Sequence, residues 1–112
     1  MNLNELEKII NESFENKDKI NTSSDKSIVN AINETIELAD QGKIRVAEKE
    51  NGAWKINQWI KKAILLSFKI NKMEILRGPY TSWYDKVPGK SVNWKEEDWK
   101  KAGYRHVPNG VV

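Results

Sequence analysis

A chain of 112 residues with 38% apolar and 31% charged side chains supports one domain with a thin core, in which five tryptophans must fill much of the space. With no cysteine and a single histidine, His106, disulfides, thiolate metal sites and multi-histidine metal sites are excluded, and a reducing, cytoplasmic compartment is expected. The net charge of +3 hides an asymmetry, because residues 1–40 hold nine acids against four bases (−5) and residues 41–112 hold seven acids against fifteen bases (+8), which fits either halves that attract each other or a second half that meets an anionic partner.

The amino terminus, "MNLNELEKII", lacks the basic flank and apolar run of a signal peptide. Leu3, Leu6, Ile9, Ile10 and Phe14 instead predict an amphipathic helix over residues 3–16. The polar break "NTSSDKS" offers Ser23 or Ser24 as a cap for a second helix, with Asp25 near its positive end. Ile28, Ile32, Ile36 and Ala39 mark the apolar face of that helix, and Gly42 stands where a left-handed residue is wanted after it. Ile44-Arg45-Val46-Ala47-Glu48 alternates like a half-buried strand, and Asn51-Gly52 is a strong hairpin signal. A two-residue turn pairs Glu48 with Lys55 and Lys49 with Trp54; a longer loop shifts that register, and both stay open.

Asn57 can cap the third helix, "QWIKKAILLSFKINK", which is apolar on more than one face and is therefore expected at the centre, with Trp59, Ile60, Ile64 and Phe68 in the core. Its longest apolar stretch, around "AILLSF", is far too short to span a bilayer, so no membrane partner is expected. Gly78-Pro79 and Pro88-Gly89 make residues 73–92 read mostly as loop. Asn93 and Glu96 suggest a capping-box variant that opens a short fourth helix, Trp94 to Ala102, stopped by Gly103. The expected fold class is mainly α: a small orthogonal helical domain of three main helices and a short fourth, with one β-hairpin.

The residues alone carry little chemistry. There is no phosphate-binding glycine loop and no nucleophile elbow. Glu96, Glu97 and Asp98 lie in the first turn of a helix, where carboxylates favour the dipole without catalysing anything. His106 has no visible partner as a base. The mixture of lysines and tryptophans in "NWKEEDWKK" superficially suggests nucleic acid, but acids alternate with the lysines and no recognition motif accompanies them.

The stretch "RVAEKENGAWKINQWIKKAILLSFKIN" resembles the amino-terminal domain of the tetrahydrodipicolinate N-succinyltransferases, and "YDKVPGK" and "GYRHVP" resemble two later segments of that family, in order and with compatible spacing. His106 and Ser91 are departures from its usual residues. The resemblance implies an acyltransferase of lysine and diaminopimelate biosynthesis, a homotrimer that uses succinyl-CoA as co-substrate and a dicarboxylate as acceptor, with no bound cofactor. It implies a helical amino-terminal domain over residues 1–104, and residues 105–112 as the start of a strand leading into a left-handed β-helix of hexapeptide repeats that this sequence does not include. Of the family's binding positions one falls here, Arg105, which the resemblance makes a substrate-binding residue; no catalytic, cofactor or metal residue is expected in the chain, and the 112 residues alone are expected to be inactive. The alternative is a free-standing helical module for an anionic partner such as nucleic acid.

Overall fold

The computed structural model describes residues 1–110. In chain order it contains α1 (Leu3–Glu15), a 3-10 turn (Lys17–Lys19), α2 (Lys26–Asp40), β1 (Ala47–Glu50), β2 (Ala53–Ile56), α3 (Gln58–Ile70), β3 (Glu74–Arg77), β4 (Ser82–Asp85) and α4 (Glu96–Ala102). The expected mainly helical class holds, with two hairpins where one was expected.

Each of the first helices buries the face its spacing marks. In α1, Leu6 and Ile10 are fully buried, and Ile9 and Phe14 pack at the margin. The helix begins with a capping box, in which Glu5 N–H donates to Asn2 Oδ1 (2.9 Å) and Asn2 N–H to Glu5 Oε2 (3.1 Å), so two orphan amides of the first turn are satisfied. In α2 the buried line is Ala31, Ile32 and Thr35, flanked by Ile28, Leu38 and Ala39. The buried Thr35 hydroxyl donates to the Ala31 carbonyl (2.8 Å). Neither serine caps this helix: Asp25 occupies the cap without a side-chain bond, while Ser24 Oγ accepts from Asn21 N–H and Ser23 N–H donates to Asn21 Oδ1. Those hydroxyl and amide groups close the turn before the helix, so they are already spent locally. The other end follows expectation. Gly42 adopts φ 71°, its N–H reaches the Ala39 carbonyl and the Lys43 N–H reaches that of Leu38, which is the paired bonding of a Schellman motif.

The first hairpin takes the two-residue register, with Glu48 opposite Lys55 and Lys49 opposite Trp54. Asn51 and Gly52 both have positive φ, 52° and 79°, as a type I′ turn requires. Its strands start later than the alternation suggests: Ile44 and Val46 are core contacts in the connection, and β1 opens at Ala47. Asn57 does precede α3, yet its side chain donates to the Arg45 carbonyl (2.7 Å) and to Glu48 (3.2 Å) instead of to its own helix. It therefore fastens the hairpin to the start of α3.

Helix α3 lies against both α1 and α2, which also pack on each other. It contributes Trp59, Ile60, Ala63 and Leu66 to the core. Ile64 is half-buried, and the expectation for Phe68 fails, since it is 41% exposed and Leu65 45%. Two helices, α1 and α2, cover only one side of α3, so the second apolar stripe of the sequence finds no neighbour among the described residues. Lys62 joins the helices at the rim, donating to Asn11 (2.8 Å) and lying over the Phe14 ring.

Residues 73–92 are loop over more than half their length, as expected, but two four-residue strands inside them were not expected. They form a second hairpin in which Ile75 faces Tyr84 and Leu76 faces Trp83, closed by Gly78–Thr81, with Gly78 N–H donating to the Thr81 carbonyl (2.8 Å). The Trp83 ring lies so close to Gly78 that an added Cβ would sit 2.7 Å from it. Helix α4 begins two residues later than expected: Lys95 is its cap residue and its N–H donates to Asp98 (2.8 Å), so Asp98 does the work assigned to Glu96. Gly103, at φ 73°, ends it. The radius of gyration is 16.4 Å, against about 13 Å for a compact domain of this length, and the molecule is a slab of 41 × 40 × 21 Å. The excess comes from the second hairpin and α4, which pack broadly on none of the first three helices.

Candidate functional site

Arg105, expected to bind substrate from the resemblance of "GYRHVP", follows shortly after the α4 terminus. The left-handed Gly103 turns the chain out of the helix, so the backbone after it runs beside α4 instead of continuing its axis. A set of aromatic rings holds this turn. Trp94 and Trp99 meet edge to face with centroids 4.8 Å apart, Tyr104 lies 5.8 Å from Trp99 and 6.3 Å from Trp94, and His106 lies 6.0 Å from Trp99. Edge-to-face pairs of this kind contribute about 0.5–1.5 kcal/mol each beyond area burial. They give a short helix with no buried residue a local anchor.

Arg105 projects from that anchor and is exposed. Two shallow concavities share it. One, of about 320 Å³, is lined by Trp99, Tyr104, His106, Val107 and Pro108; the other, of about 430 Å³, lies on the α4 side by Glu96, Lys100 and Gly103. Among the described residues the guanidinium makes no hydrogen bond or ion pair. An exposed planar cation with its donors uncommitted can accept a carboxylate in two parallel charge-assisted bonds.

The neighbouring candidates resolve into structural roles. Glu96 pairs with Lys100 one turn on (3.2 Å), and Asp98 caps the helix, so the acidic first turn serves α4. His106 Nε2 is buried without a partner, and the ring lies against Gly110, where an added Cβ would stand 2.7 Å from it. Among the described residues no carboxylate bonds to the imidazole, and it packs between Trp99 and the 107–110 turn. Among the described residues no group of His, Asp and Glu could hold a metal ion, and no helix is long and apolar enough to cross a membrane. Residues 104–107 carry no strand and 108–109 form a turn with Asn109 at φ 76°; the remainder of the expected strand start, Val111 and Val112, lies outside the described residues.

Sequence reasoning missed two lysines. Lys86 Nζ donates to the Phe68 carbonyl (2.8 Å), one of the orphan acceptors at the end of α3, and Lys90 Nζ pairs with Asp40 at the end of α2 (2.7 Å). Asp40's hydrogen bond holds the Lys90 ammonium above its ordinary pKa of 10.5; desolvation opposes it, and the charge of Asp40, then Tyr104 and Glu37, add to the rise. Both lie in "YDKVPGK", so the motif was visible, but its partners stand 18 and 50 residues away.

Residues 5–70 match the family model described as tetrahydrodipicolinate N-succinyltransferase N-terminal. Over 113 aligned residues the chain is 58% identical to a 2,3,4,5-tetrahydropyridine-2,6-dicarboxylate N-succinyltransferase of Pelagibacter ubique (strain HTCC1062), covering 98% of this chain and 41% of the relative. It is 50% identical to the protein of the same name from Agrobacterium fabrum (strain C58), over 98% of this chain and 40% of that one. For the Parvibaculum lavamentivorans protein of that name the identity is 44%, over 100% and 41% respectively. The chain spans about two fifths of the length of the curated relatives it matches.

Proposed function

The chain belongs to the tetrahydrodipicolinate N-succinyltransferase N-terminal family, and from that premise we propose that it is the amino-terminal part of an acyltransferase in which it supplies one substrate anchor and none of the bond-making groups. The reaction is the one the relatives' name describes, with succinyl-CoA as donor. The acceptor's amine attacks the thioester carbonyl, a tetrahedral intermediate forms, and the CoA thiolate leaves as the amine loses its proton. The whole enzyme's tasks are deprotonation, positioning and stabilisation of the oxyanion. The groups that perform them, the CoA site, and a homotrimer built on a hexapeptide-repeat β-helix belong in this reading to the portion of the relatives beyond this chain. A place in lysine biosynthesis and a cytoplasmic location follow from the same reading.

One observation carries the residue-level claim: Arg105 stands exposed and uncommitted at the mouth of two concavities, braced from behind by Trp99 and Tyr104. It holds a carboxylate of the acceptor so that the amine meets the thioester. Arg105→Ala in a full-length enzyme carrying this segment is expected to lower kcat/KM for the acceptor by about 2–4 kcal/mol in transition-state stabilisation, far more than for succinyl-CoA. Arg105→Lys recovers part of it, because the charge remains and the fork is lost. Equal losses for both substrates, or a lowered melting temperature, would make Arg105 a structural residue instead. The 112-residue chain alone is expected to release no CoA thiol from succinyl-CoA above background, and turnover by it would overturn the division of labour. The alternative of a nucleic-acid module finds no support, since Trp94 and Trp99 are engaged edge to face with each other and offer no slot for a base between them.

A further inference from the structure

The second hairpin, the 86–95 loop and α4 form an arm whose attachment to the helices is unusual in kind. From residue 71 to residue 110 no side chain is buried. Between the arm and the helices lies a cleft of about 370 Å³ bounded by Thr22, Ile70 and Asn71 on one side and Leu76, Asp85 and Val87 on the other, where a hairpin held by burial would have a dry apolar contact. The hairpin itself opposes two carboxylates, Glu74 and Asp85, a pairing that weakens it. Two lysines cross from arm to core, and both land on a helix carboxyl end: Lys86 on the Phe68 carbonyl and Lys90 on the Asp40 carboxylate.

We propose that residues 73–107 are a reversibly seated arm, latched to the three-helix core by Lys86 at the end of α3 and Lys90 at the end of α2, with ionic strength setting how much of it stays seated. One is an exposed ion pair and the other an exposed ammonium bond to a backbone carbonyl, and such contacts bias an equilibrium only about two- to fivefold each. Salt screens them with a Debye length of about 10 Å at 0.1 M and about 3 Å at 1 M. An arm held by apolar burial would behave oppositely, being indifferent to salt or strengthened by it. The consequence is positional: Arg105 rides at the far end of the arm, so its place relative to the helices depends on the two latches.

The chain's lack of cysteine makes the test direct. Spin labels at Asn33→Cys on α2 and Tyr80→Cys at the hairpin tip report the arm, and a second pair at Glu12→Cys and Asn33→Cys reports the core. At 20 mM NaCl the arm distance distribution is expected to be dominated by one narrow population. With Lys86→Met and Lys90→Met combined, or in the parent chain at 1 M NaCl, the unseated fraction is expected to rise relative to the seated by about four- to twenty-five-fold, the product of two such contacts, while the core pair stays unchanged. Lys90→Arg keeps the arm seated and Asp40→Asn releases it as Lys90→Met does. An arm distribution that ignores both salt and the double substitution would overturn the latch, as would one already broad in the parent at 20 mM NaCl. Should the double variant lose its core distance, the salt series on the parent chain decides alone.

Discussion

Residues 3–70 and residues 73–107 are nearly opposite solutions to the same problem. The first region buries Leu6, Ile10, Ala31, Ile32, Ile60, Ala63 and Leu66 almost completely, and its polar contacts close helix ends around that core. The second leaves Ile75 59%, Tyr84 68% and Val92 74% exposed and is organised by hairpin pairing, aromatic edges and lysine contacts. The composition of the two does not explain this, because the arm is rich in Trp, Tyr and Val. What differs is geometry. Three helices of similar length can enclose a common axis, whereas a two-stranded ribbon has two faces and covers neither. Stability therefore resides in the first region.

Core substitutions give the sharpest way to break this contrast. Leu66→Ala, which empties a fully buried position, is expected to cost about 2–5 kcal/mol in a denaturant titration, and Tyr84→Ala, at the matching bulk in the arm, less than about 0.5 kcal/mol. Similar losses at the two positions would erase the distinction. Phe68→Ala falls between them, at about 1–2 kcal/mol, because only part of the ring leaves water; a loss above 3 kcal/mol would restore it to the core. The smallest effect concerns pH. Lys90 has its pKa raised in the folded chain, so the contact it makes is fully present below 10.5 and is lost only as pH climbs through the raised value. Arm seating, read by the same spin-label pair, is expected to be flat with respect to Lys90 across the neutral range and to fail in strong alkali. A transition centred well below pH 10 would assign the seating to another group.

Much of the first region was legible because its signals are local. Leu6 and Ile10, or Ile28, Ile32 and Ala39, fall on one helical face by spacing alone, Gly42 ends α2 through a conformation glycine tolerates, and Asn51-Gly52 marks the hairpin turn, although its register stayed open until the structure chose the two-residue form. The second hairpin was hidden by Gly78-Pro79, which read as loop although the pair sits in a four-residue connection, and by strands only four residues long. For the site, Arg105 stood out only through the likeness of "GYRHVP" to a known segment; no spacing or periodicity singles it out.

The sequence by itself determined where helices start and stop to within a few residues and which faces of α1 and α2 are apolar, since each of these depends on neighbours within about one turn. Tertiary structure alone decided which stripe of α3 is covered, leaving Phe68 out, and which side chains meet across distance. Asn57 holding the Arg45 carbonyl, Lys86 reaching Phe68, and Lys90 finding Asp40 fifty residues away depend on how the elements pack, and packing is a property of the assembled surfaces that no single segment encodes.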